Sequence, residues 1–259
     1  MLQLVQNIVL ISTLSASTPE PLAVADAASH AQYYAANDGR AQVRLLIVDS
    51  RGRKMQRQFV VVRRDLEEGG EQNFLVRFER PADVRDTVFL VHKKPRGDDD
   101  RWLYLPALDL VKRIAASDER TSFVGSHLYY EDISGRSPHE DTHRLVDETE
   151  SHWILESRPK DPGSVEFARY RARIRRSDSL PEEIVYFDDK GREIRKIEAA
   201  QIEVVDGHPT ITRMKVSDLR TGAYTLAAFG KLTFDIGVPE DVFVERSLRN
   251  PPAQWFQIR

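Results

Sequence analysis

The sequence predicts a single α+β domain built mainly from one antiparallel sheet. Three observations lead there. About a dozen short runs alternate apolar and polar residues or are briefly apolar throughout, as strands do. Turn-forming clusters separate them at short intervals, as in a meander. Only two stretches read as helical: residues 27–36, and a turn opening at Pro138 behind the capping residue Ser137.

In order along the chain, Val43, Leu45 and Ile47 alternate, and Asp49-Ser50-Arg51-Gly52 turns the chain into the run 59–62. Phe74, Val76 and Phe78 share one face of the next strand, with Arg77 and Glu79 on the other. Residues 88–91 are continuously apolar, and the polar turn 93–100 leads to a strand over 102–105 that stops at Pro106. Further strands fit residues 110–115, 153–157, 165–174, 183–187, 192–205, 210–216 and 223–234. Asp188-Asp189-Lys190-Gly191 and Asp206-Gly207 mark turns between them. Within 165–175 the alternation is sharp. Ala168, Tyr170, Ala172 and Ile174 form a dry side, and Arg169, Arg171, Arg173 and Arg175 form a wet side that reads as a solvated outer face.

Composition narrows the function classes. The 259 residues carry 38 Lys+Arg against 41 Asp+Glu, a net charge of −3, with 41% hydrophobic residues. Such a chain is too apolar to be disordered and too evenly charged for a dedicated nucleic-acid binder. No apolar run approaches the roughly 18–20 residues needed to cross a bilayer. The absence of cysteine excludes a disulfide framework, a thiolate nucleophile and a zinc–thiolate centre.

The N-terminus has its own character. Residues 2–14 are largely apolar, and A-x-A sites follow at Ala23-Val24-Ala25 and Ala25-Asp26-Ala27. This is the layout of a secretory signal peptide without its basic start. The expectation is a cleaved leader over residues 1–27, one domain over 28–259, and a periplasmic location.

The segment Arg101-Trp102-Leu103-Tyr104-Leu105-Pro106-Ala107-Leu108, then Val111-Lys112-Arg113-Ile114, then residues 122–133 with Gly125-Ser126-His127-Leu128-Tyr129-Tyr130-Glu131-Asp132 is distinctive. It resembles the outer-membrane lipoprotein-sorting protein (LolA-like) family, in the branch associated with resistance-nodulation-division (RND) type exporters. His127 stands where that branch usually has Asp. The resemblance extends through residues 186–191, Met214, Thr221-Gly222 and Thr225 to residues 242–248. It implies a strongly curved antiparallel sheet, an open half-barrel, with a few helices covering its concave face. It also implies an apolar cavity that carries a lipid or the acyl chains of a lipoprotein toward the outer membrane, with no catalysis and no cofactor. An adaptor of a neighbouring inner-membrane RND-type exporter is the alternative role.

Candidate cavity residues under this reading are Phe74, Val76, Phe78, Trp102, Tyr104, Phe123, Tyr129, Tyr130 and Tyr170. Apolar rings with polar tips suit the mouth of a lipid pocket, and they suit a plain core equally well. One motif points elsewhere. His139-Glu140-Asp141-Thr142-His143 is a literal H-E-x-x-H, which on a helix sets two imidazoles for zinc and a carboxylate for a general base. The preceding Pro138 places it at a helix start, and no third ligand follows at the usual spacing, so a zinc hydrolase is a remote alternative. Asp98-Asp99-Asp100 lacks the further oxygen ligands of a calcium loop and reads as a solvated turn.

Overall fold

A computed structural model describes residues 18–257, so the apolar leader run lies outside the described residues. The described chain begins with helix α1 (Pro21–Tyr33), opened by a proline at its start, where a missing N–H costs nothing. Val24, Ala25 and Ala28 on α1 pack against Leu155, Ala172 and Ile174. Cleavage at the expected A-x-A sites would therefore divide this helix.

Six strands follow as a meander: β1 (Asp38–Val48), β2 (Lys54–Asp65), β3 (Gln72–Arg80), β4 (Val88–Lys93), β5 (Asp100–Leu105) and β6 (Leu110–Ile114). A second meander runs β7 (Asp141–Glu148), β8 (His152–Pro159), β9 (Arg169–Arg175), β10 (Pro181–Phe187), β11 (Glu193–Val205), β12 (His208–Asp218) and β13 (Tyr224–Phe234). Pairing of β1 with β13 welds the two into one antiparallel sheet, in the order β6-β5-β4-β3-β2-β1-β13-β12-β11-β10-β9-β8-β7. The predicted turns are where expected: the Asp49 carboxylate accepts from the Arg51 and Arg53 amides at 2.9 Å each, and Asp188 holds Lys190 and Arg192 in the same way.

Two expectations need correction. The antiparallel sheet with flanking helices is present, but it is open, neither closed into a barrel nor strongly curved, and ends in the separate edges β6 and β7. The half-barrel came from the resemblance alone, and nothing in the alternation of a strand encodes how far a sheet bends. Nor is the layering one-sided. On the front face Val43, Phe59, Phe78, Phe89 and Val91 form one core. On the reverse face Val60, Val62, Leu75, Val88 and Leu90 form another, covered by Val238, Val242, Phe243, Leu248 and Phe256 of the C-terminal segment. That segment includes the single-turn helices α3 (Arg246–Arg249) and α4 (Ala253–Phe256). It is turned onto the sheet by Asp38, whose carboxylate accepts from the Ile236, Gly237 and Val238 amides at 2.8–3.0 Å. The apolar run 88–91 follows from this, because a strand dry on both faces has no polar alternation.

The second correction concerns residues 138–148. The turn at Pro138 is one 3₁₀ turn, Pro138–Glu140, and the chain then extends as β7. Glu140 reaches back to the Ser137 amide at 3.1 Å and closes a capping box around this turn. Pairing of the segment with β8, in register from Asp141–Pro159 onward, overrides the local helix preference.

Candidate functional site

The connection from β6 to β7, residues 115–140, joins opposite edges of the sheet and crosses its front face. Its anchor is Phe123, fully buried among Phe59, Phe78, Phe89 and Tyr130, with ring centroids 5.4–5.9 Å away. A narrow turn presents this ring: the Phe123 amide donates to the Leu128 carbonyl at 2.7 Å, with Val124 and Gly125 both at positive φ between. A short helix α2 (Glu131–Ser134) follows, held by buried charge. Asp132 pairs with Arg195, whose guanidinium lies 4.4 Å from the Tyr129 ring centre and 5.2 Å from that of Tyr186. Glu131 sits between Arg120 and Arg136; burial pushes its carboxyl up to about 7 even though both arginines pull the other way. Lys93 reaches the Ser134 carbonyl at 2.6 Å beneath the rings of Tyr33 and Tyr34, and burial lowers its ammonium to about 8 against the pull of Asp99 and Asp65.

Between α1 and the front face runs an apolar groove. Its larger part is a cavity of about 200 Å³ floored by Val43, Phe59, Val61, Phe74 and Phe229 and closed at the side by Leu128 and Ile133. Ala31, Gln32 and Tyr33 of α1 form one wall. A second cavity of about 120 Å³ continues beneath α1 over Ala172, Ile174, Ile184 and Ile197. Tyr33, Asp132, Ile211 and Met214 border both. The helix passes close to α2 because Gly135 lacks a side chain: a Cβ there would lie 2.5 Å from the Tyr33 ring, and the backbone is at φ +81°.

The nine candidate residues divide by face. Phe74 lines the larger cavity and Tyr170 the smaller, where its hydroxyl donates to Asp141 at 2.8 Å. Val76, Phe78, Phe123 and Tyr130 belong to the packed core beside the groove, and Tyr129 stacks on Arg195 and Arg120. Trp102 and Tyr104 point to the reverse face, packing with Val111, Ile236 and Trp255. The alternation along β5 is as expected; which side it turned to the groove was not readable. Sequence reasoning read residues 27–36 as helical without placing Ala31, Gln32 and Tyr33 along a cavity, and read residues 21–27, the first half of α1, as leader. It also missed Met214 and Phe229, whose apolar alternation in β12 and β13 was visible without a face assigned.

The histidines and carboxylates near the groove are engaged with partners within the chain. His139 and His143 lie on a 3₁₀ turn and a strand, so the helical i, i+4 geometry of a zinc site does not form. Both ring nitrogens of His143 are engaged, at 2.8 Å from the Ser157 hydroxyl and 2.8 Å from the Pro138 carbonyl. Ser157 is wholly buried, and a carbonyl rather than a carboxylate orients the imidazole. Glu119, Glu131 and Glu140 converge closely enough to suggest a cation site, but their counter-ions are Arg101, Arg120 and Arg136. Asp99 and Asp100 likewise bind Arg101, Lys94 and Arg113.

Comparisons with known proteins agree with this frame. A family model described only as an uncharacterized protein matches residues 70–250, and no curated protein matches. A DUF1329 family protein from Desulfovibrio piger is 30% identical, with 88% of this chain and 96% of that chain covered and a TM-score of 0.79. A Vibrio parahaemolyticus domain named for outer membrane lipoprotein sorting is 25% identical, with 88% of this chain and 98% of that chain covered and a TM-score of 0.78. A LolA superfamily protein from Nitrosomonas europaea, 16% identical over 88% of this chain and 99% of that one, shares the fold at a TM-score of 0.67. On the 30% identity across 88% of its length, the chain belongs to the DUF1329 family, and it has the LolA-like fold.

Proposed function

We propose that the chain is a periplasmic carrier that shelters an apolar chain, from a lipid or a lipidated polypeptide, in the groove beneath α1. The observation that carries this reading is the groove itself: a cavity of about 200 Å³ walled by aliphatic and aromatic side chains, continued under one helix. That volume exceeds the roughly 150 Å³ dry cavity that accepts a benzene ring. It suits a few methylenes, each contributing about 0.8 kcal/mol on burial. A longer chain requires α1 to lift. Its N-terminal half, seated through the small side chains of Val24, Ala25 and Ala28, is the part free to lift, while its C-terminal end stays anchored by Gln72 on the Tyr33 carbonyl at 2.7 Å and by the Tyr34 hydroxyl on the Gly70 carbonyl at 2.8 Å.

The resemblance to the Vibrio domain named for lipoprotein sorting supports the same class of cargo. Among the described residues no helix is long and apolar enough to cross a membrane, which suits a carrier that leaves one. Under this reading the donor suggested by the sequence resemblance is an inner-membrane RND-type exporter, and site-specific cross-linking between the two tests that link separately.

The central test is displacement of a fluorescent fatty acid, together with native mass spectrometry of protein drawn from a periplasm. Met214→Trp, filling the border between the two cavities, is expected to abolish fatty-acid binding with little change in melting temperature. Trp102→Ala, on the opposite face, is expected to leave binding intact. Undiminished binding in Met214→Trp, or no binding of any fatty acid or lysophospholipid by the parent chain, would reject the carrier reading.

A further inference from the structure

The reverse face of the sheet is covered by the C-terminal segment over β2–β5, yet over β7–β9 it carries a compact group of arginines. Arg144 on β7, Glu156 on β8 and Arg171 on β9 stand directly opposite one another in register. Four guanidiniums converge on the Glu156 carboxylate: Arg158 and Arg171 at 3.1 Å, Arg169 at 3.3 Å and Arg144 at 3.7 Å. Glu156 is 5% exposed, whereas the side chains of Arg144, Arg158 and Arg171 are 74%, 58% and 48% exposed. Arg169 is braced 3.8 Å above the Phe187 ring.

On the neighbouring strands carboxylates keep pace with the cations: Arg173 pairs with Glu182 at 3.2 Å, and Lys196 lies between Glu183 at 2.8 Å and Glu198 at 3.0 Å. Around Glu156 they do not. One carboxylate offers two oxygens to four guanidiniums with five N–H donors each, so most of the donors remain for something outside the chain. Their orientation is already set by Glu156 and Phe187, which removes part of the ordering cost of binding.

We infer that the arginine group around Glu156 is a docking surface for the headgroups of an anionic phospholipid membrane. Guanidinium forks match phosphate oxygens in pairs. The group spreads over three neighbouring strands about 4.8 Å apart, a two-dimensional array like a headgroup layer. An extended acidic peptide would present its carboxylates in a single line. The surplus is local in a chain of net charge −3, so attraction orients the molecule instead of merely holding it near the surface. Docked by this face, the molecule turns the groove, which lies on the front, away from the bilayer and toward the aqueous side. The inference stands apart from the groove and does not depend on its cargo.

Cosedimentation of the whole chain tests it. The chain is expected to bind vesicles of phosphatidylcholine mixed with phosphatidylglycerol, to ignore vesicles of phosphatidylcholine alone, and to lose binding as salt rises. The double variant Arg144→Gln/Arg158→Gln removes the two most exposed forks while Arg169 and Arg171 still satisfy Glu156. It is expected to bind about 25-fold more weakly, at about fivefold per arginine. A second double variant, Arg192→Gln/Arg220→Gln, changes net charge equally at exposed pairs with Asp188 and Asp218 and is expected to keep full binding. Equal loss in both variants would reject the site in favour of bulk charge. No preference for phosphatidylglycerol, or binding of polyglutamate in place of vesicles, would reject the membrane as the occupant. Fatty-acid uptake by the groove is expected to be unchanged in the first variant; its loss together with vesicle binding would overturn the assignment to a headgroup contact.

Discussion

The reverse faces of β4 and β9 are built from the same backbone and have opposite chemistry. On β4, Val88 and Leu90 are sealed beneath Phe243 and Leu248. On β9, Arg171 and Arg173 stand in the open, and Arg169 beside them lies half-buried against the Phe187 ring. Front faces differ less: Phe89 and Val91 at one end, Ala172 and Ile174 at the other, are all buried. The difference teaches that the sheet is dry on both faces at one end and on one face only at the other. At the second end the smaller cavity and α1 occupy the front and arginines occupy the back, while the larger cavity lies over the middle strands.

The sharpest way to break that comparison is to truncate the same face at both ends. Leu90→Ala is expected to cost about 2–5 kcal/mol in denaturant unfolding, since the cavity it leaves lies between the sheet and the C-terminal cover. A loss below about 1 kcal/mol would mean that the cover is not a true core layer.

The next effect concerns the approach of α2 to α1. Gly135→Ala is expected to destabilise by about 1–3 kcal/mol, because its Cβ meets the Tyr33 ring and the positive φ disfavours any side chain. It should also weaken fatty-acid binding, since displacing Tyr33 moves a wall of both cavities. Full stability with altered binding would place the effect in the groove alone.

A smaller, pH-linked effect separates Lys93 from its surroundings. Burial depresses its folded-state value to about 8, below the 10.5 of the unfolded chain, so between these values the unfolded state holds more protons. Stability should therefore gain from this site as pH rises from about 8 toward 10. Above that, buried tyrosines such as Tyr33, raised by burial, work in the other direction. Unfolding measured across that window in the parent and in Lys93→Met should show the gain only in the parent. A parallel pH profile in both would remove Lys93 from the account.

The smallest effect is expected at the arginine end. Arg171→Gln should change stability by no more than about 0.5 kcal/mol, because Arg158 and Arg169 still hold Glu156 and the side chain is half exposed. A loss comparable to Leu90→Ala would show the arginine group to be structural and erase the contrast.

Legibility in the sequence followed how local each signal was. The strand positions, the Asp49 and Asp188 turns and the dry side of β9 were readable because a period of two and a turn residue act within a few positions. β7 was not, since Ser137, Pro138 and Glu140 announce a helix as strongly as short segments can, and only the partner β8 reveals a strand. Phe74 and Tyr170 stood out through strand alternation, and they border the two cavities. Trp102 was not distinguishable from them, because a strand shows that its neighbours alternate without showing which side meets the cavity. The first half of α1 was hidden by small apolar residues that read equally well as a leader; its second half read as helical, but nothing local set it over a cavity.

What residue pattern alone decided is the class: a cysteine-free, antiparallel, strand-rich domain resembling the LolA-like fold. These follow from short-range periodicity and from which side chains exist. Tertiary structure decided the rest. It set the open sheet in place of a half-barrel, the reverse-face cover, the groove beneath α1 and the convergence of four arginines on Glu156. Each depends on strands far apart in sequence being brought into register, and pairing energy and burial are properties of both partners, not of either segment by itself.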